Sequence, residues 1–217
     1  MSVNKLTQLP ELRQPQLFKL NLNENLIATA NNFSGHPNLR ILELKKNKLT
    51  DCGGICNMEN LEELYLSENE IKDVSQLKNM PKLKKLDLNT NKIESLKDTN
   101  LDLPALEHFD IGANTIASVE TIQTLAKFPL LKNFIAAGNP FADELGDKLK
   151  GELLFQLYPA IKIKFIGEDE ITEDDLAAWK AERKERLKAQ EEARRQAALA
   201  KDQPPADHIA GELSEDG

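Results

Sequence analysis

Apolar and polar positions alternate along this chain in one recurring frame. It is clearest at Leu83–Ile93, where leucines stand at 83, 86 and 88, an asparagine at 91 and an isoleucine at 93. Written out, the frame is LxxLxLxxNxI. It also fits Leu17–Ile27, Leu39–Leu49 and Leu61–Ile71. With substitutions it fits Leu106–Ile116 and Leu131–Phe141. The slot asparagines are 25, 47, 69, 91, 114 and 139, so the period is 22 residues three times, then 23 and 25. A fixed period in this range marks a solenoid, in which each coil buries its apolar side only against its neighbours.

The spacing within the frame predicts local structure. Leu86 and Leu88 are two apart, so on a strand they share one face, with Lys85 and Asp87 on the other. Ile71, Val74, Leu77 and Met80 then step by three, as suits a 3₁₀ turn or a brief helix on the outer wall. A buried asparagine must be hydrogen-bonded, and one asparagine per coil predicts a ladder on backbone groups of its own and the adjacent coil. Longer linkers later in the chain predict a fuller helix around Val119–Lys127.

The ends read differently. Residues 1–16 form an N-terminal cap, 17–141 six repeats, 142–167 a C-terminal cap, 168–201 a charged helical tail and 202–217 a disordered end. In the cap, Leu145–Tyr158 has helical spacing, and Ile161, Ile163 and Phe165 alternate as a strand. Thr172 and Asp175 make a capping-box-like start to a helix of nearly 30 residues, with Glu173 and Asp174 at its positive end. The pairs Glu182–Arg186 and Glu191–Arg195 support it at i,i+4 spacing. The expected class is therefore α/β: a solenoid with a parallel concave sheet, a helical C-terminal cap and a long C-terminal helix.

Composition narrows the function. The net charge is −8, which disfavours generic nucleic-acid binding. Residues 180–201 run against it, with eight basic and four acidic side chains. No stretch has the length and apolarity of a membrane span. Of the two cysteines, Cys52 takes a core slot and Cys56 a partly exposed one. With neither near an end, and no leader-like N-terminus, residence in the cytosol is expected. No metal or cofactor set emerges. His36 alone accompanies the cysteines, and Asp169, Glu170, Glu173, Asp174 and Asp175 lack a calcium loop and suit a solvated helix start. His108 beside Asp110 lacks a nucleophile, so no enzyme is expected.

The open face of the sheet is the better candidate for a site. Lys19, Asn21, Glu43, Lys45, Glu63, Tyr65, Lys85, Asp87, His108, Asp110 and Ile135 point to it. Its acidic middle and apolar C-terminal end suit an amphipathic basic partner segment, with Tyr65 and Ile135 as anchors. The competing reading of each single charge there is that it only keeps the sheet soluble. In the tail, Trp179, Arg183, Arg186, Arg194 and Arg195 are the candidate contacts for an acidic neighbour. For Trp179 the favoured reading is that, with Leu176, it pins the start of the helix to the cap.

The frame at its 22-residue period resembles the short cytosolic class of leucine-rich repeats. That class includes a regulatory subunit of protein phosphatase-1, the leucine-rich-repeat light chain of outer-arm dynein and a spliceosomal A-prime protein. The C-terminal block, with Asn139-Pro140, a helix and Tyr158-Pro159-Ala160-Ile161, resembles that class's cap, though Phe165-Ile166-Gly167 stands where Leu-Asp-Gly is usual. The layout of cap, acidic link and long basic helix is similar to axonemal members, notably the leucine-rich-repeat protein of the radial spoke. So is the segment Gly138-Asn139-Pro140-Phe141-Ala142-Asp143-Glu144. The resemblance implies a non-enzymatic scaffold in the cytoplasm and the axoneme of a cilium or flagellum. It would bind one protein on the sheet and another, such as an acidic subunit or tubulin, with the tail. A phosphatase regulatory subunit and a ribonucleoprotein component are the alternatives.

Overall fold

The computed structural model describes residues 5–201 except 34, 98, 100, 159 and 160. The expected disorder of 202–217, the cap residues 1–4 and the Pro159-Ala160 step lie outside the described residues.

Six three-residue strands carry the repeat: β1 (Lys19–Asn21), β2 (Ile41–Glu43), β3 (Glu63–Tyr65), β4 (Lys85–Asp87), β5 (His108–Asp110) and β6 (Asn133–Ile135). They pair in parallel, each with the next, so that Leu20, Leu42, Leu64, Leu86, Phe109 and Phe134 fall in one register row. About five solenoid turns link them. The core is continuous from Leu9 to Ile166, and Leu42, Leu64 and Phe134 are fully buried. Phe109 packs edge-on to Phe128 at 5.9 Å and tilted against Phe134 at 6.1 Å, so aromatics fill the C-terminal coils where leucines fill the others.

The asparagines align in one column. Asn91 Nδ2 donates to Leu88 O of its own coil and to Leu66 O of the preceding one, both at 3.0 Å. Its Oδ1 accepts the Ile71 N–H at 3.0 Å. Asn47, Asn69, Asn114 and Asn139 repeat the arrangement, and Asn25 receives the Leu6 N–H. Each amide thus satisfies backbone groups that no strand ladder reaches. The residue before each asparagine is left-handed: Glu24, Lys46, Glu68, Thr90, Ala113 and Gly138 have φ between 49° and 74°.

The outer wall follows the three-residue stepping. Leu77 N–H donates to Val74 O and Leu83 N–H to Met80 O, single i→i+3 turns. Val119–Lys127 is a 3₁₀ run, not the fuller helix its length suggested. Leu125, Phe128 and Leu131 also step by three, and the eclipsed side chains of a 3₁₀ helix put such a row on one side.

The C-terminal cap departs from its expected form in two places. The helix read over Leu145–Tyr158 starts later, as α2 (Leu149–Leu157); an unexpected α1 (Pro140–Leu145) precedes it across a 3₁₀ turn, because Gly146 adopts φ +51° and breaks the helical path. Ile161 and Ile163 are buried but unladdered. Only β7 (Phe165–Ile166) pairs with β6, and β8 (Asp169–Glu170) then folds back antiparallel across Gly167. Asp169 and Glu170 are therefore strand residues, not part of the helix start.

The chain divides into two units, Met1–Asp175 and Leu176–Gly217. Helix α3 (Glu173–Lys201) begins in the first. Its capping box is formed: Thr172 Oγ1 accepts the Asp175 N–H at 3.2 Å, and Asp175 Oδ2 accepts the Thr172 N–H at 2.8 Å.

Candidate functional site

The strands place three columns of side chains on the open face of the sheet. The first is Lys19, Ile41, Glu63, Lys85, His108 and Asn133. The second is Asn21, Glu43, Tyr65, Asp87, Asp110 and Ile135. The third lies two residues further on, with Asn23, Lys45, Ser67, Asn89, Gly112 and Ala137. All eleven residues expected on this face are there. Ile41, Asn23, Ser67, Asn89, Asn133 and Gly112 share it and were not singled out, although the same two-residue alternation puts them there.

Towards β1 the polar groups neutralise one another. Glu43 accepts from Lys19 Nζ at 2.6 Å, Asn21 Nδ2 at 2.6 Å and Asn23 Nδ2 at 3.0 Å. Asp87, itself buried, takes Lys45 Nζ at 2.9 Å, Ser67 Oγ at 3.0 Å and the Asn89 N–H at 3.1 Å. Tyr65 lies between two ammonium groups, Lys45 at 4.8 Å and Lys85 at 5.0 Å from its ring centroid, and its hydroxyl donates to Glu63 at 2.6 Å. Burial, then the hydrogen bond to Glu63 and the nearby acids, pushes the Tyr65 phenol up. The Tyr65 ring is thus already engaged by two of the chain's own lysines.

Towards β6 the face changes. Asp110 Oδ1 accepts the Gly112 N–H at 2.8 Å and Asn89 Nδ2 at 3.1 Å, both uncharged donors. Burial raises the Asp110 carboxyl above the usual carboxylate range. An added Cβ at Gly112 would lie 2.7 Å from Asn89 Nδ2, so a larger residue there would displace the Asn89 amide. Tyr65, Lys85, Asp110, Asn133 and Ile135 line a hollow of about 210 Å³, together with Lys45 and Asp87, and the core residues Leu86 and Phe109 stand at its base. His108 is exposed and lines it too, and among the described residues no hydrogen bond joins it to Asp110.

The other expected sites resolve as follows. Cys52 is buried and Cys56 half-buried, and burial pushes the Cys52 thiol up. Among the described residues no cluster of three His, Cys, Asp or Glu could hold a metal. No described helix is long and apolar enough to cross a membrane. In α3, Trp179 is buried, with the Arg183 guanidinium 5.2 Å from its ring centroid. Arg186 pairs with Glu182 at 2.6 Å and Arg195 with Glu191 at 2.7 Å, as the spacing predicts, while Arg194 is exposed.

Family models described as leucine-rich repeats match residues 35–56 and, as two copies, 59–102. The fold is a leucine-rich-repeat solenoid. Among solved structures, a chain of the Drosophila melanogaster SNF/U2A′ complex is similar at TM-score 0.50 and 19% identity, over 60% of this chain and 76% of that one. YopM from Yersinia enterocolitica is similar at TM-score 0.49 and 31% identity, over 64% of this chain and 28% of that one. An internalin from Listeria monocytogenes is similar at TM-score 0.49 and 19% identity, over 71% of this chain and 48% of that one. No curated protein matches the chain. Leucine-rich repeats serve in general as modules that bind other proteins and not as catalysts, and the sheet face has the form of such a module.

Proposed function

We propose that this leucine-rich-repeat protein is a structural subunit of a ciliary or flagellar axonemal complex, resident in the cytoplasm and on the axoneme. It holds one protein on the sheet face and a second, acidic one with α3. The observation that carries the docking role is the contrast along the sheet: charges near β1 are saturated by one another, whereas the hollow near β6 keeps a carboxylate with no cation in direct contact, beside the half-buried Ile135. Saturated charges gain little from a partner; one without a directly paired cation gains more. The axonemal assignment rests on the layout of cap, acidic link and long basic helix.

The test is fractionation of ciliated cells expressing the tagged chain, intact, lacking residues 172–217, or carrying Ile135→Arg. The intact chain stays on detergent-extracted axonemes. The truncation and the sheet variant each lose a different co-purifying protein. Complete release of the intact chain by detergent would remove the axonemal assignment.

A ribonucleoprotein component is the second reading. It draws on the fold shared with a chain of the SNF/U2A′ complex, a likeness of fold alone. Co-purification of small nuclear RNA, in place of axonemal proteins, favours it. A phosphatase regulatory role is marked instead by phosphatase activity in the same purification.

A further inference from the structure

The hollow between β3 and β6 has a definite chemical complement. Its polar edge holds two acceptors that the protein itself leaves underused. Asp110 accepts two neutral N–H groups through Oδ1 alone, and among the described residues no cation stands within 4.0 Å of it. Asn133, one strand over, has its Oδ1 buried with no hydrogen-bond partner. Both residues line the same hollow, with Ile135 and Tyr65 beside them and Leu86 and Phe109 at its base turned into the core. Lys45 and Lys85 line it as well, but Lys45 is held by Asp87 at 2.9 Å and Lys85 lies over the Tyr65 ring, so Lys45 acts on Asp110 only at longer range and neither pairs with it directly.

A buried carbonyl oxygen and a half-buried carboxylate ask for donors and one positive charge. A guanidinium offers five N–H donors in a planar fork, is weakly hydrated, and lies flat against apolar walls; an ammonium is a strongly hydrated point charge. Beyond Ile135 the face is lined by Ala137, Gly112 and Gly138, so an incoming backbone can approach closely there.

Resting on the reading that this face docks a protein, we propose that the hollow is a socket for one arginine side chain of the partner, held by Asp110 and Asn133 against Ile135.

N-acetyl-arginine amide titrated into the isotopically labelled full chain tests this by amide chemical shifts. The expected result is saturable shifts confined to β5, β6 and the Gly112 turn. The isosteric but uncharged N-acetyl-citrulline amide binds about tenfold or more weakly. Asp110→Asn removes the shifts and Asn133→Leu weakens them, each with an otherwise unchanged spectrum. Equal shifts with citrulline, persistence in Asp110→Asn, or shifts scattered over the acidic surface would overturn the socket. So would saturable binding of N-acetyl-aspartate amide at Lys85 and His108. Sheet-dependent partner capture without arginine binding would fell the socket and leave the proposed function standing. Arginine binding with sheet-independent capture would do the reverse.

Discussion

The column asparagines are the residues on which the fold turns. Asn91→Ala strips three backbone carbonyls and one N–H of their side-chain partner, which costs about 1–3 kcal/mol. Asn32→Ala, whose amide meets only the exposed Gln8 side chain at 3.1 Å, stays within about 0.5 kcal/mol. Urea midpoints separate the two. The residue just before each asparagine tells the opposite story. Thr90 is exposed, β-branched and held at φ +53°, a conformation that costs an L-residue about 1–2 kcal/mol. Glycine there gives back about 0.5–1 kcal/mol in unfolded-chain entropy, so Thr90→Gly should raise stability by about 0.5–1 kcal/mol. Asp110 is costly in the same sense. Its carboxyl is raised by burial, so its contribution is most favourable below the usual carboxylate range and is lost as pH rises through the folded value. Asp110→Asn should therefore leave stability at neutral pH equal or higher, a difference that fades in acid; thermal melts across pH read this directly. A group that weakens the fold and completes a hollow fits a role in binding.

At the scale of elements, most of the architecture was legible in the sequence because the repeat states it six times. The strands, their register, the inward leucines and the outward columns all follow from two-residue alternation at fixed offsets from the asparagine. What periodicity could not supply was conformation that depends on a single residue or on packing. Gly146 interrupts a helical path whose leucine spacing runs on unbroken, and Ile161 and Ile163 alternate because they are buried, without a partner strand. The pairing of Lys45 with Asp87, two coils apart, was likewise hidden, since it depends on side-chain reach across the sheet. The start of α3 was legible through Thr172 and Asp175. There Lys150 donates to Asp175 at 2.6 Å, and that bond, with the Thr172 N–H and hydroxyl, holds the Asp175 carboxyl down at about 2. A lowered folded value gives support that is present above the usual carboxylate range and lost as pH falls towards about 2. Amide exchange over residues 173–176 should accordingly quicken across that window, and already be fast at neutral pH in Asp175→Ala.

The whole molecule joins a rigid repeat ladder to a helix of mixed charge. The ladder fixes eleven predicted side chains on one face, and the opposite wall is built of tight turns such as Gly54, where a Cβ would lie 1.9 Å from Ala30 O. The two sides are thereby assigned different tasks: the wall closes the coils, and the sheet meets partners. A photo-crosslinking residue placed at His108 on the sheet, and separately at Gln76 on the wall, tests this division most directly in extracts of the native cell. The account predicts that position 108 links to one discrete protein, that excess unlabelled chain competes the link away, and that position 76 links to none. Equal linking from both positions, or a discrete partner from 76 alone, would contradict it.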